Sequence, residues 1–271
     1  MMIFRYPKIS IVTPSYNQGR FIEDSIQSVL NQNYPNFEHI IIDNQSTDET
    51  IEVLKKYDHM PHLKWISEPD EGQTDAINKG FKMASGDIVA WLNADDYYLP
   101  STFQSVAKYY QKKGFEILYG QCVFVDENKK KLRIKREHSF NYGVLLYYGC
   151  YIPSTATFFN RRILDSGNFL DPSYMVTMDY EYFVRLYTLG YRFDFLSQVL
   201  AAFRWHKRNI SVIYSEKRRE ERLRVQHMYG FKITSKYSIQ TKLYDLAARF
   251  YRIKRWTLIS KGKFFIHGNS D

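Results

Sequence analysis

Apolar runs alternate with helically spaced apolar positions through the first hundred residues. Residues 8–13 read as a buried strand that stops at Pro14. Residues 21–30 then place apolar side chains at 21, 22, 26, 29 and 30, the spacing of one helix face. Residues 39–43 form a second strand pattern. Ser46 and Thr47, ahead of Asp48, Glu49 and Thr50, predict a capped helix start running to Tyr57, with Asp48 in a capping role. Residues 63–66 read as a short strand, 72–83 as a helix ended near Gly86, and 87–92 as a fourth strand. This alternation predicts right-handed βαβ units and an α/β fold with a mostly parallel central sheet.

After Pro100 the rhythm changes. The pattern predicts a helix over 101–112, a strand over 116–126, a polar turn at 127–131 and a hairpin partner at 132–136. Residues 140–148 read as helical and 155–159 as extended. Residues 178–189 form a helix closed by Gly190. Two strands follow, over 191–196 and 199–205, and then two helices over 215–229 and 238–256. No internal repeat or low-complexity linker interrupts this order.

Composition narrows the class. The 271 residues are 44% hydrophobic and 25% charged, which excludes a disordered chain, a collagen-like repeat and a disulfide-stapled scaffold. Cys122 and Cys150 lack metal-binding spacing and read as buried free thiols of a reducing compartment. No apolar stretch approaches the ~20 residues of a spanning helix, and the N-terminus lacks a signal pattern, so a cytoplasmic protein is expected. Charge changes the picture more. Residues 204–271 carry 17 Lys and Arg against 5 Asp and Glu, while residues 1–203 carry 21 against 24. A near-neutral body with a basic C-terminal segment suits an anionic partner, or else a solvated helix surface.

In an open parallel sheet, ligands bind beyond the carboxyl ends of the strands. Those ends hold Thr13-Pro-Ser-Tyr-Asn17, Asp43-Asn-Gln-Ser-Thr-Asp48 and Asn93-Ala-Asp-Asp96. Single clusters of this kind are common turn chemistry, but three of them, at the ends of the first, second and fourth strands, facing one crevice make a site. Asp43 closes a buried apolar strand and is a candidate on that ground. No GxGxxG follows the first strand, and no GxxxxGK[ST] occurs, so a dinucleotide fold and a P-loop enzyme are excluded. The adjacent Asp95 and Asp96 repel unless a cation intervenes. They point to Mn²⁺ or Mg²⁺ shared with a diphosphate, one Asp binding metal and the other capping the next turn.

At this point the sequence resembles glycosyltransferase family 2, the inverting enzymes of GT-A fold. The resemblance rests on Ile9-Ser-Ile-Val-Thr-Pro-Ser-Tyr-Asn17, Ile40-Ile-Ile-Asp-Asn-Gln-Ser-Thr-Asp48 and Ala84-Ser-Gly-Asp-Ile-Val-Ala-Trp-Leu-Asn-Ala-Asp-Asp96. It continues through Gly167-Asn-Phe-Leu-Asp171, Met178-Asp-Tyr-Glu-Tyr-Phe-Val-Arg185 and Phe203-Arg-Trp-His-Lys-Arg-Asn-Ile-Ser211. It implies a GT-A catalytic domain over residues 1–212, with 1–100 as the nucleotide-sugar half and 101–212 as the acceptor half. Residues 213–271 form a basic helical extension outside it.

The resemblance also implies roles. Pro14, Tyr16 and Asn17 line the nucleotide pocket, and Asp43 hydrogen-bonds the base. Asn93-Ala94-Asp95 takes the place of the family's Asp-x-Asp motif, with Asn93 toward ribose and Asp95 on the metal. Asn in the first place is a departure, since an amide is a weak metal ligand. Within Gly72-Gln-Thr-Asp-Ala-Ile-Asn-Lys-Gly80, Ile77 stands where many relatives carry Arg, so Gln73 and Asp75 are expected at the pocket edge instead. Asp179 falls at the catalytic base, which takes the acceptor hydroxyl's proton. Glu181 is the fallback, and Arg185 is expected in a structural ion pair. His206 is expected beside the diphosphate as a second metal ligand, with Arg204, Lys207 and Arg208 near phosphate charge.

The implied activity is metal-dependent transfer of a sugar from a nucleoside diphosphate donor, a UDP-sugar, to a glycan or lipid-linked acceptor hydroxyl, with inversion. The alternatives are a nucleotidyltransferase on a similar sheet and an inactive membrane-associated sugar-nucleotide binder. Leu243, Leu246, Phe250, Ile253 and Trp256 recur at helical spacing among Arg and Lys. That stripe either docks on the catalytic domain, the favoured expectation, or meets an anionic membrane. No nucleic-acid module accompanies the charge, and no nucleic-acid partner is expected.

Overall fold

The computed structural model describes residues 6–230 and 239–266, with side chains in the last helix described over 246–260. The first half follows the βαβ pattern: β1 (Ile9–Ser15), α1 (Gly19–Leu30), β2 (Phe37–Asp43), α2 (Thr50–Lys55), β3 (Leu63–Ser67), α3 (Gln73–Met83) and β4 (Ile88–Trp91). These strands pair in parallel, β2 between β3 and β1, and β1 between β2 and β4. Pro14 does not stop β1. The last β1–β4 pair is Val12 with Trp91, so Pro14 lies beyond β4, paired only on the β2 side, where an imino acid is tolerated.

The second half adds β5 (Tyr97–Tyr98), α4 (Thr102–Lys113), β6 (Ile117–Val125), β7 (Lys131–Lys135), a π-helical turn (Val144–Tyr148) and a 3₁₀ turn (Ser154–Ala156). It continues with β8 (Thr157–Asn160), α5 (Arg162–Asp165), α6 (Met178–Thr188) and β9 (Phe193–Arg204). Among the described residues the sheet runs β3-β2-β1-β4-β8-β6-β9-β5, with β7 hairpinned on β6. β8 runs antiparallel between β4 and β6, whereas β9 is parallel to β6. The parallel half is thus as expected, and the later strands make the sheet mixed.

The two strands expected at 191–205 are one continuous β9 whose register shifts opposite Gly120. A Cβ on Gly120 would lie 2.6 Å from Leu200 Cδ1 and 2.9 Å from the Gln198 carbonyl, so glycine there lets the irregular strand close on its neighbour. Consecutive residues face opposite layers. Val12 and Phe159 join the layer that holds Trp91 and Phe183, while Ile11 and Phe158 join the layer of Phe103 and Leu200. Ile77 is fully buried in the first of these layers. An apolar residue there serves packing, which accounts for the missing Arg.

Three helices follow: α7 (Ile210–Ile213), α8 (Ser215–Tyr229) and α9 (Ile239–Ile266). α8 is charged along most of its length but buries Glu221, Val225 and Gln226. Gln226 donates to the Leu146 carbonyl at 2.9 Å, and Arg222 to the Tyr148 carbonyl at 2.6 Å. α8 is therefore built into the body on the π-helical turn, although the sequence places it in the extension.

Candidate functional site

The strand ends meet as a connected polar surface. Asp43 is fully buried. It accepts hydrogen bonds from the Ser15 hydroxyl (3.1 Å), the Ser67 hydroxyl (2.8 Å), and the amide (2.9 Å) and hydroxyl of Ser46. Its partners are the ends of β1 and β3 and the loop after β2, so a contact with a base would require one of these bonds to give way.

Asn17 sits in the left-handed region at φ 51°. Its side-chain oxygen accepts from Thr47 N (2.9 Å), while its own amide donates to the Ser46 hydroxyl (2.8 Å). Asn17 therefore ties the β1 end to the β2 end. Pro14 is buried in β1, while Tyr16 beside it is exposed. Asp48 accepts from the amides of Thr50 and Gly19, both at 3.0 Å, bracing the starts of α2 and α1 as a capping role requires. Burial opposes ionisation of its carboxyl, but the Thr50 hydroxyl and these amides prevail and lower its pKa.

Gln73, at the start of α3, donates to the Asn93 side chain at 2.7 Å, so two expected pocket residues are in contact. Asp75 faces the turn before α3, accepting from Glu71 N (3.2 Å) and lying 3.5 Å from Lys79 Nζ. Asp70, on the same turn, bridges Asn44 to Gly72 and was not anticipated from sequence. Burial raises its pKa above the usual carboxylate range.

Asn93, Ala94 and Asp95 follow β4. Asp95 Oδ2 lies 2.9 Å from His206 Nε2, although 111 residues separate them. The Arg208 amide donates to His206 Nδ1 at 3.2 Å, so the Nε2 edge of the ring faces the carboxylate. Asn209 donates to Asp95 at 3.3 Å and accepts from the His206 amide at 2.6 Å. Phe21 stacks on the imidazole at 5.1 Å. Asp96 turns the other way, fully buried, accepting from Arg204 N (2.9 Å) and the Thr155 hydroxyl (2.8 Å). Burial, and then the charge of Asp95, push its carboxyl well above the ordinary range.

Arg204 does not face a phosphate. It is buried, donating to the Asp95 carbonyl (2.8 Å), the Glu127 carbonyl (2.9 Å) and Asp24 (2.7 Å). Lys207 and Arg208 remain on the surface beside it; Lys207 and Trp205 line one cleft against Asp126 and Glu127, while Arg208 faces Asn17, Arg20 and Thr47. His206 lines both clefts.

On the acceptor side Asp179 opens α6. It is partly exposed at its rim, but its carboxyl lies deep in the fold, and burial raises its pKa. The Tyr180 amide donates to it at 2.7 Å, and the Cys150 thiol faces it at 3.9 Å. A carboxyl raised by burial and reachable from one side can accept a proton. Glu181 cannot serve as the fallback, being buried in a two-pronged ion pair with Arg185 (2.8 and 3.2 Å). Arg185 is thus the structural ion-pair partner the sequence predicts.

Sequence reasoning missed the group that holds this loop. Glu221 of α8 accepts from the amides of Met175, Val176 and Thr177, each at 2.9 Å. It is one of three glutamates on α8, four residues before Val225 on the buried face, and that position is the signal that was available.

Comparison with known proteins agrees with this arrangement. The family model described as "Glycosyl transferase family 2" matches residues 10–184. A putative teichuronic acid biosynthesis glycosyltransferase of Bacillus subtilis is 42% identical over 93 residues, covering 33% of this chain and 36% of that one. The chain likewise spans 21% and 54% of relatives from Rickettsia bellii and Nostoc sp..

Among solved structures, Staphylococcus aureus TarS with UDP-GlcNAc superposes with a TM-score of 0.68 at 16% identity, covering 97% of this chain and 76% of that one. The mannosyltransferase PcManGT of Pyrobaculum calidifontis, in complex with GDP-Man and Mn²⁺, gives 0.64 at 17%, covering 98% and 77%. These likenesses show a shared GT-A-like fold. With strands, strand-end clusters and family match in agreement, the chain belongs to glycosyltransferase family 2.

Proposed function

We propose that the protein transfers a sugar from a nucleoside diphosphate donor, a UDP-sugar, to an acceptor hydroxyl with inversion at the anomeric carbon. The observation that carries the reading is the meeting of Asp95 and His206 at the carboxyl end of β4, 2.9 Å apart. One carboxylate and one imidazole, each held by Asn209 or a backbone amide, suit a divalent cation that takes its remaining ligands from phosphate and water. Among the described residues no cluster of three or more His, Cys, Asp or Glu could hold a metal without such help. Mn²⁺ or Mg²⁺ there would supply positive charge to the leaving diphosphate. Support comes from PcManGT, whose structure holds GDP-Man and Mn²⁺, and TarS, which holds UDP-GlcNAc.

Pro14, Tyr16, Asn17, Asp43, Gln73, Asp75, Asn93 and Ala94 form the walls of the donor pocket. Asp179 acts as the base. Its carboxylate removes the acceptor hydroxyl's proton while that oxygen bonds to the anomeric carbon, and the bond to the diphosphate breaks with its electron pair leaving on phosphate oxygen. The acceptor belongs to a cell-surface polysaccharide or a lipid-linked glycan, the class suggested by the Bacillus relative, and the reaction proceeds in the cytoplasm. Residues 1–212 supply the catalytic groups, and α8, beyond them, braces the loop before Asp179.

Thermal unfolding with UDP, GDP, dTDP and CDP, with and without Mn²⁺, tests the reading. UDP raises the melting temperature, Mn²⁺ enlarges the rise, and Asp95→Ala abolishes the enlargement. No rise with any nucleotide in folded protein overturns it.

A further inference from the structure

α9 presents two faces of opposite character. One is fixed to the body: Tyr251 stacks on Tyr147 of the π-helical turn at 5.4 Å, and Arg255 donates to the buried Glu137 at 3.0 Å while lying 5.0 Å over Tyr148. Gly143 makes this approach possible, since a Cβ there would fall 2.2 Å from the Tyr251 ring. The other face carries Leu246, Phe250, Ile253 and Trp256, exposed at 65, 58, 68 and 73%. At 3.6 residues per turn these four lie within about 120° of one another, roughly opposite Arg255. The expectation that this stripe docks on the catalytic domain is therefore wrong for its described residues. Leu243 lies outside the residues whose side chains are described.

We infer that this face of α9 is a docking surface for an anionic lipid bilayer. Charge selects that occupant. Residues 246–260 contain four cations and no carboxylate; Arg249 falls between Ile253 and Trp256 within the stripe and Arg252 at its edge, both exposed. Apolar and aromatic side chains flanked by Arg match a headgroup boundary, where rings enter the acyl region and guanidinium groups meet phosphate. Among the described residues no helix is long and apolar enough to cross a membrane, so the mode is attachment in the plane of the interface. The fixed face cannot release the stripe toward the body without breaking the Arg255–Glu137 pair. The π-helical turn gripped by α9 leads through Cys150 to Asp179, so docking sets the acceptor side of the site beside the bilayer. Only this last consequence rests on the transferase reading.

The test is sedimentation of the full chain with vesicles of phosphatidylcholine alone or with 3:7 phosphatidylglycerol:phosphatidylcholine, at low and high salt, without donor. The expected result is binding to the anionic vesicles, weakened by salt, and little binding to neutral ones. The paired substitution Phe250→Ser with Trp256→Ser lowers binding at least tenfold, and Arg249→Gln with Arg252→Gln lowers it severalfold on anionic vesicles. Melting temperature and the nucleotide-induced shift stay as in the parent, so failure here is distinguishable from failure of the donor reading. Equal binding by parent and Phe250/Trp256 variant, or none by either, overturns the inference. So does a parent dimer that the same variant dissociates, which would assign the face to a second copy.

Discussion

Asp43 ends β2 and Asp179 opens α6, and the two are held in contrasting ways. Asp43 is held from within its own βαβ neighbourhood by Ser15, Ser46 and Ser67, none more than 28 residues away. The loop that presents Asp179 is held from outside, by Glu221 on a helix 44 to 46 residues downstream. The surroundings of Asp43 are therefore shaped by local hydrogen bonds, whereas Asp95 depends on residues 204–209. The acceptor half depends on the C-terminal helices, so perturbing them should change turnover before it changes nucleotide binding.

The sharpest break in that comparison is Asp179→Asn, which keeps the shape and removes the proposed base. Transfer should fall about 10³-fold, with the nucleotide-induced thermal shift unchanged; single-turnover assays and melting curves check this together. Glu221→Gln comes next. It weakens three charge-assisted bonds to the 175–177 amides, and kcat should fall about tenfold while the donor's KM changes less than about twofold. An equal loss of donor affinity would show that the two halves are not separable.

A smaller effect is read from pH. Burial raises the Asp179 pKa, and the base works only when ionised. The rate at saturating donor should therefore fall, as pH is lowered, through a midpoint above the ordinary carboxylate value. A midpoint at or below that value in a full pH–rate profile would show a solvated, unperturbed carboxylate.

The same local-against-distant division governs what the sequence disclosed. β1, β2 and β4 were legible because a strand buried on both faces is a continuous apolar run with sharp polar ends. Asp48 was legible as a cap from its place before Thr50. Asn93 was expected toward ribose and Gln73 at the pocket edge from the resemblance, and the two hydrogen-bond at 2.7 Å. Glu221 was missed because its partners are backbone amides, which leave no trace in residue type; only its place one turn before the buried Val225 marked it. Arg204 was misplaced for a related reason: a cation near a phosphate site reads as a phosphate ligand, whereas here it is enclosed by Phe21, Tyr97 and two carbonyl oxygens. The irregular β9 looked like two strands because its apolar alternation breaks where the register shifts.

The contact between Asp95 and His206 bears on the order in which the molecule is made. The pocket walls of β1, β2 and β4 are complete once about the first hundred residues have been synthesised, but Asp95 acquires its imidazole and amide partners only when residues 204–209 emerge. Such long loops close late, after local contacts have formed. A nascent chain would hold the outline of a nucleotide pocket well before it could hold a diphosphate, and would complete its metal end and then its α8 brace in the last steps of folding.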